Sequence, residues 1–432
     1  MRRLTSGFQV ALRMTLAHVF SGIFAAGFSM LAVSGAAAQS GLTQVPSKLG
    51  VSSTRASHPI AVFGADERIL LPDHLKHLED KIGLIFEPRT RTVCTAFCLS
   101  SRTIATAAHC LYRTRGERPL TLGHILFRLA ADTPRRTTRI AGGGDGAASQ
   151  HIVSGATSLS TRPPIDATLD WALVKLAAPA CRKGGLPLST LSPADLRSPS
   201  FATRRPQRLY QVGFHGDFGN WRLVYSPPCG RREPNGATLP LHVIREEFTS
   251  PEHLILHTCD TGGASSGSPM LVDGENGPEV VGINVGTYLQ SRVLTQAGEV
   301  VHRYRSDTIA NTAVSTRAWR EQLLFFDAAQ ILTDAADIRR LQAALSATTH
   351  YAGAIDGRYG PQTRAAIIAF EVANNLPPTG IASIELLRRA EAATVPHMMA
   401  TPQAAPTAVE TGSIRPPAPR RQSTGRLPVI TR

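Results

Sequence analysis

A chain of 432 residues is long enough for more than one domain, and its 46 Lys and Arg against 32 Asp and Glu leave a net charge of +14. Such a charge attracts anions. The arginines are nevertheless scattered in pairs such as Arg135-Arg136, Arg204-Arg205 and Arg231-Arg232. Without an aromatic-interleaved basic stripe, a solvated basic surface is expected and no nucleic-acid partner.

Arg2, Arg3 and Arg13 precede an apolar run from Leu16 to Val33, and Ala36-Ala37-Ala38 offers a cleavage site before Gln39. This predicts a signal peptide over residues 1–38, with Met14 as an alternative start. His18, Ser21, Gly22, Gly27 and Ser29 interrupt the run, so no permanent membrane anchor is expected, and no second stretch is apolar enough to span a bilayer. The mature protein is therefore expected outside the cytoplasm. Six cysteines, an even number, fit disulfides in an exported chain. No Cys-x-x-Cys pairs are present, so no metal site is expected. Residues 39–81 show no strong period and read as either a propeptide or an N-terminal extension.

From Ile82 the pattern changes to short apolar runs between turns: residues 83–86, 93–99, 103–106, 208–213, 254–256 and 280–285. Many short strands with glycine turns predict an all-β barrel architecture. The Gly-rich stretch from Gly142 to Ala148 reads as a surface loop, because it lacks the Gly-Lys-Ser/Thr ending of a phosphate cradle.

Three segments in this β-rich region carry chemistry. Thr106-Ala107-Ala108-His109-Cys110 supplies a histidine, and Leu169-Asp170-Trp171-Ala172-Leu173-Val174-Lys175-Leu176 supplies an aspartate opening a strand-like run. Gly262-Gly263-Ala264-Ser265-Ser266-Gly267-Ser268-Pro269 then puts a serine in a tight turn. A serine hydroxyl attacks only if a base takes its proton, and a histidine whose tautomer is fixed by a carboxylate can do so near neutral pH. His, Asp and Ser in this order form one of the chain orders in which a hydrolytic triad occurs.

These segments resemble the trypsin-like, chymotrypsin-fold serine proteases over residues 85–325. The resemblance implies an all-β double-barrel protease domain over 82–325, hydrolysing peptide bonds of protein or peptide substrates without metal or cofactor. It implies His109 as general base, Asp170 as its orienting partner and Ser266 as nucleophile. The oxyanion donors would be the backbone N–H groups of Ser266 and Ala264. The family usually has glycine at the latter position, so Ala264 raises the question whether its N–H points the right way. Ser265 stands where an acidic or amide residue usually precedes the nucleophile, so activation through a freshly cut N-terminus is not expected. Asp260, six residues before Ser266, is either the base of a substrate pocket for Lys or Arg or a structural brace. Asn284 stands where glutamate-specific relatives carry histidine, which argues against a glutamate preference. The family's histidine-loop spacing implies a Cys94–Cys110 disulfide; Cys229–Cys259 would brace the approach to the nucleophile turn, and Cys98 and Cys181 remain as a third pair.

Near Thr316 the composition shifts again. Residues 319–332 read as helical, and Ile338-Arg339-Arg340-Leu341-Gln342-Ala343-Ala344-Leu345 leads to Asp356-Gly357-Arg358-Tyr359-Gly360-Pro361 and Ala366-Ile367-Ile368-Ala369-Phe370. Residues 334–392 are similar to the peptidoglycan-binding domain of bacterial wall enzymes, which implies a small all-α bundle of three helices and peptidoglycan as a partner. Two departures are Glu371, where glutamine follows the phenylalanine, and Asn375, where glycine usually ends the helix. Asparagine also tolerates the left-handed helix end. Residues 393–432 are rich in Ala, Pro, Thr and Arg without a period, and are expected to be disordered. The whole reads as an exported serine endopeptidase, periplasmic or secreted and held at the wall. The alternative is a wall-binding protein whose protease domain has lost turnover.

Overall fold

The computed structural model describes the backbone of residues 48–50 and residues 61–112, 120–133, 136–142, 147–198, 201, 209–229, 245–290, 293–296, 299–303 and 307–398. The expected signal peptide, the centre of the Gly-rich loop (143–146) and the expected tail beyond 398 lie outside them. Residues 393–398 continue the last helix.

Short apolar runs bounded by turn residues become strands, as β-branched and aromatic side chains favour a pleated, buried surface. Two small strands, β1 (Lys48–Gly50) and β2 (Ile69–Leu70), come first. Seven more follow: β3 (Ile82–Glu87), β4 (Thr92–Cys98), β5 (Thr103–Thr106), β6 (Leu126–Leu129), β7 (Thr138–Arg139), β8 (Ile152–Ser154) and β9 (Ala172–Lys175). β3 to β9 form one antiparallel sheet in the order β7-β6-β3-β4-β5-β9-β8. A bridge between Ile140 and Leu176 joins the end of β7 to that of β9 and curls the sheet on itself.

Helix α1 (Pro193–Arg197), closed by a reciprocal Ser192–Asp195 capping box, precedes the second sheet. That sheet is built from β10 (Tyr210–Phe214), β11 (Leu223–Ser226), β12 (Leu254–His257), β13 (Pro269–Gly274) and β14 (Gly277–Gln290). β15 (Val293–Gln296) and β16 (Glu299–Arg303) pair with each other, and β17 (Asp307–Ser315) returns to the sheet. Its order is β12-β17-β14-β13-β10-β11-β2, with β1 added on β14. One apolar core runs through both sheets, including Phe97, Ile104, Phe127, Val212, Ile283 and Trp319. Full burial of each such side chain contributes about 1.5–3 kcal/mol. The expected double-barrel class is what the chain adopts.

Residues 61–80, expected to precede the protease domain, pack into it: β2 is an edge strand of the second sheet, and Leu75 and Leu78 are in the shared core.

The helix expected over 319–332 is shorter. It runs as α2 (Arg320–Ala328), and the chain then extends so that Ile331 bridges Ser383 and Leu332 donates to the Ala382 carbonyl. Three helices complete the chain: α3 (Ala335–Ala347), α4 (Pro361–Ala373) and α5 (Ile384–Met398). Leu341, Leu345, Ile367, Phe370, Leu386 and Ala390 fill their common core. Asp334 caps α3 by accepting from Ala336 N–H at 2.8 Å. Asn375 takes φ +54° just past α4, the left-handed conformation asparagine tolerates. Glu371 is explained by its surroundings: its carboxylate accepts from Thr379 N–H, Gly380 N–H and the Thr379 hydroxyl at 2.5–2.8 Å. A glutamine there would face these three donors with one acceptor atom instead of two.

The bundle is docked on the first barrel. Phe326 of α2 is fully buried, and Asp327 accepts from the Ser100 and Thr103 hydroxyls. Lys175 Nζ donates to the carbonyls of Asp327 and Ala329, and Arg364 of the bundle reaches the Ile152 carbonyl.

Candidate active site

The register of two strands brings His109 and Asp170 together. β5 pairs antiparallel with β9, Thr106 opposite Ala172. His109 sits three residues beyond Thr106, on a single 3-10 turn, and Asp170 two residues before Ala172. The same end of the ladder therefore carries both. His109 Nδ1 lies 2.7 Å from Asp170 Oδ2, and the His109 backbone N–H donates to Asp170 Oδ1 at 2.9 Å. Asp170 is fully buried, and both its oxygens face this one residue. The Cys94–Cys110 disulfide flanks it, with sulfur within 4.8 Å of a His109 ring nitrogen.

The serine turn lies between β12 and β13 and docks on β4 of the other barrel. Thr95 N–H donates to the Ser266 carbonyl at 2.9 Å, and the Thr95 hydroxyl donates to the Ala264 carbonyl at 2.9 Å. Gly267, at φ +83°, closes the approach: a Cβ there would lie 2.1 Å from the Thr95 carbonyl and 2.4 Å from Thr106 Oγ1. The turn thus abuts the strand end that leads into His109. Ser266 and His109 are both buried. His109 Nε2 makes no hydrogen bond among the described residues, to the Ser266 hydroxyl or to any other group.

Ala264 adopts φ +72°. The alanine has taken the left-handed conformation that a glycine would hold without strain. Among the described residues, neither its backbone N–H nor that of Ser266 has a protein acceptor.

Asp260, read as either a pocket base or a brace, and Asn284, read as arguing against glutamate preference, both have hydrogen-bond partners. Asp260 Oδ1 accepts from Phe63 N–H and Oδ2 from Glu67 N–H, at 2.9 and 3.1 Å. Asn284 lies under the turn, its amide donating to the Ser265 carbonyl at 3.1 Å and its Oδ1 facing His257 Nε2 at 3.2 Å. Burial holds His257 neutral, its pKa pushed down to about 3, so its Nε2–H donates to Asn284. The remaining cysteines are joined as Cys98–Cys181 and Cys229–Cys259.

Several residues around the site were not singled out in the sequence. Thr95 and His257 sit inside ordinary strand runs. Arg68, His215 and Asp217 form a buried cluster beside Gly262. The run from Gly216 to Asn220 has turn composition directly after a strand, a usable signal. Arg68 carries none.

Residues 94–283 match the trypsin-like peptidase domain family, and residues 334–389 match the peptidoglycan binding domain family. Residues 94–283 thus carry a trypsin-like peptidase domain. The protein carries it in one chain with a peptidoglycan-binding domain. No curated protein matches the chain. Among solved structures, a Glu endopeptidase in complex with MPD aligns at 15% identity over 59% of this chain and 93% of its own, with a TM-score of 0.36. No helix among the described residues is long and apolar enough to cross a membrane.

Proposed function

We propose that the protein is an exported serine endopeptidase acting through an acyl-enzyme on Ser266 and held at the cell wall by its C-terminal domain. The observation that carries this reading is the buried His109–Asp170 pair, at 2.7 Å, beside a docked serine turn. Asp170 accepts at Nδ1 and so leaves Nε2 as the free base. Ser266 Oγ attacks the scissile carbonyl carbon while its proton passes to His109 Nε2. The C–O bond forms, the carbonyl becomes an oxyanion, and the imidazolium is stabilised by Asp170. His109 then returns the proton to the leaving amine as the C–N bond breaks. Water repeats the sequence on the ester. Ala264 and Ser266 N–H groups receive the oxyanion.

The left-handed backbone of Ala264 favours turnover over the alternative of a spent domain, since the alanine does not force the turn out of shape. Asp260 is assigned as a brace, because its two oxygens already hold the segment at Phe63 and Glu67. Export is supported by six cysteines joined in three disulfides, which persist in oxidising compartments. A fluorophosphonate probe tests the chemistry: the full-length protein should be labelled, and Ser266→Ala should not. Co-sedimentation of Ser266→Ala with purified peptidoglycan tests wall binding. Absence from the pellet would remove that half of the proposal.

A further inference from the structure

The turn that carries Ser266 is fastened from behind by a segment the reaction itself does not use. Residues 61–68 run along the second barrel: Ala61 pairs with Thr261, and Asp260 accepts from Phe63 and Glu67. The segment ends at Arg68, which is 5% exposed. Its guanidinium donates to Asp66 and Asp217, each at 2.8 Å through Nη2, and to His215 Nδ1 at 3.0 Å. It also lies over the Phe218 ring at 5.2 Å. Burial opposes its charge, but the two carboxylates more than offset that, and the guanidinium stays ionised. Because arginine only donates, His215 Nδ1 must accept, so the buried imidazole is neutral.

Between the two residues that Arg68 holds in this loop lies Gly216, whose N–H donates to the Gly263 carbonyl. That carbonyl and the Ala264 N–H belong to one planar trans peptide and point in opposite directions. Fixing the oxygen therefore fixes where the Ala264 N–H is aimed. Ala264 is strained at φ +72°, so an unheld peptide gains by flipping. The cluster sits directly on the turn: a Cβ on Gly262 would lie 1.9 Å from Asp217 Oδ1 and 2.7 Å from Arg68 Nη1.

We propose that Arg68 is a positioning residue: by gripping His215 and Asp217 it presents the Gly216 N–H to the Gly263–Ala264 peptide and keeps the Ala264 N–H turned toward the oxyanion. The inference rests on the proposed peptidase reading and adds how its oxyanion site is kept assembled, by an internal arginine rather than a charged chain terminus.

The test measures kcat, KM and melting temperature on one peptide substrate for full-length wild type, Arg68→Gln, Arg68→Lys, Ala264→Gly and the Arg68→Gln/Ala264→Gly double variant. Loss of an aimed oxyanion donor lowers kcat by about 10²–10³-fold, and KM should stay within about threefold. Arg68→Lys should recover part of the loss. Glycine holds φ +72° without strain, so Ala264→Gly should raise kcat in the Arg68→Gln background by more than it does in wild type. A purely structural role for Arg68 would not produce that coupling. If Arg68→Gln fails to fold, Asp217→Asn gives the same readout with the arginine retained. Wild-type kcat in Arg68→Gln, or a loss that Ala264→Gly does not selectively repair, overturns the clamp while leaving the peptidase reading intact. A wild-type protein with no turnover and no labelling of Ser266 overturns both.

Discussion

At Ala264 a β-carbon sits where the backbone turns left-handed, which typically costs an L-residue about 1–2 kcal/mol. Ala264→Gly is therefore expected to stabilise the protein by about 1 kcal/mol by denaturant unfolding and to raise kcat, since the donor is held with less strain. Asp170 is the other sensitive position. Both its oxygens accept from His109, so Asp170→Asn must set an amide N–H₂ against one of those donors. A loss of about 10⁴-fold in kcat with little change in KM is expected. His215 and His257 make a third prediction. Burial pushes both down to about 3, with the Arg68 charge adding to the effect at His215. Their unfolded values are about 6.5, so between these limits the unfolded chain binds more protons. The stability they contribute is fully present above pH 6.5 and is lost as pH falls toward 3. Urea midpoints should therefore fall steadily on acidification through that window, and His257→Asn should flatten the slope. The residue types of the proposed triad were legible because each lies in a distinctive local run. Arg68 was not, because its meaning comes from Asp217, 149 residues away.

Among the elements, strand register does the assembly. Pairing Thr106 with Ala172 sets a histidine and an aspartate, 61 residues apart in the chain, at one ladder end. The runs that become β4, β5 and β13 could be read from composition, whereas their pairing could not, since period-2 patterns do not name a partner strand. The same limit affected Asp260: its spacing from Ser266 suited both a pocket and a brace, and its bonds to Phe63 and Glu67 N–H, which support the proposed brace, could not be read from local sequence. The helix expected to reach residue 332 stops at Ala328 because Ile331 and Leu332 have a better partner in residues 382–383. Local helical propensity yields to that tertiary pairing.

For the whole molecule, the C-terminal bundle is a docked part rather than a module on a loose tether. Phe326, Ile331 and Ile381 join the core of the barrels, and Lys175 and Arg364 tie the junction. Removing residues 331–432 strips at least Ile381 from that core, whose burial contributes about 1.5–3 kcal/mol. In a domain of this size each kcal/mol shifts the melting temperature by about 2–4 °C. The truncated protein should therefore melt roughly 3–12 °C lower, whereas an unchanged value would mean that the junction contributes nothing to the barrels. The account's centre remains the covalent step. An acid-quenched reaction with an ester substrate, digested and sequenced by tandem mass spectrometry, should carry the acyl group on Ser266 and lose it in His109→Ala. Steady turnover with Ser266 unmodified, or an acyl group on another residue, would contradict it.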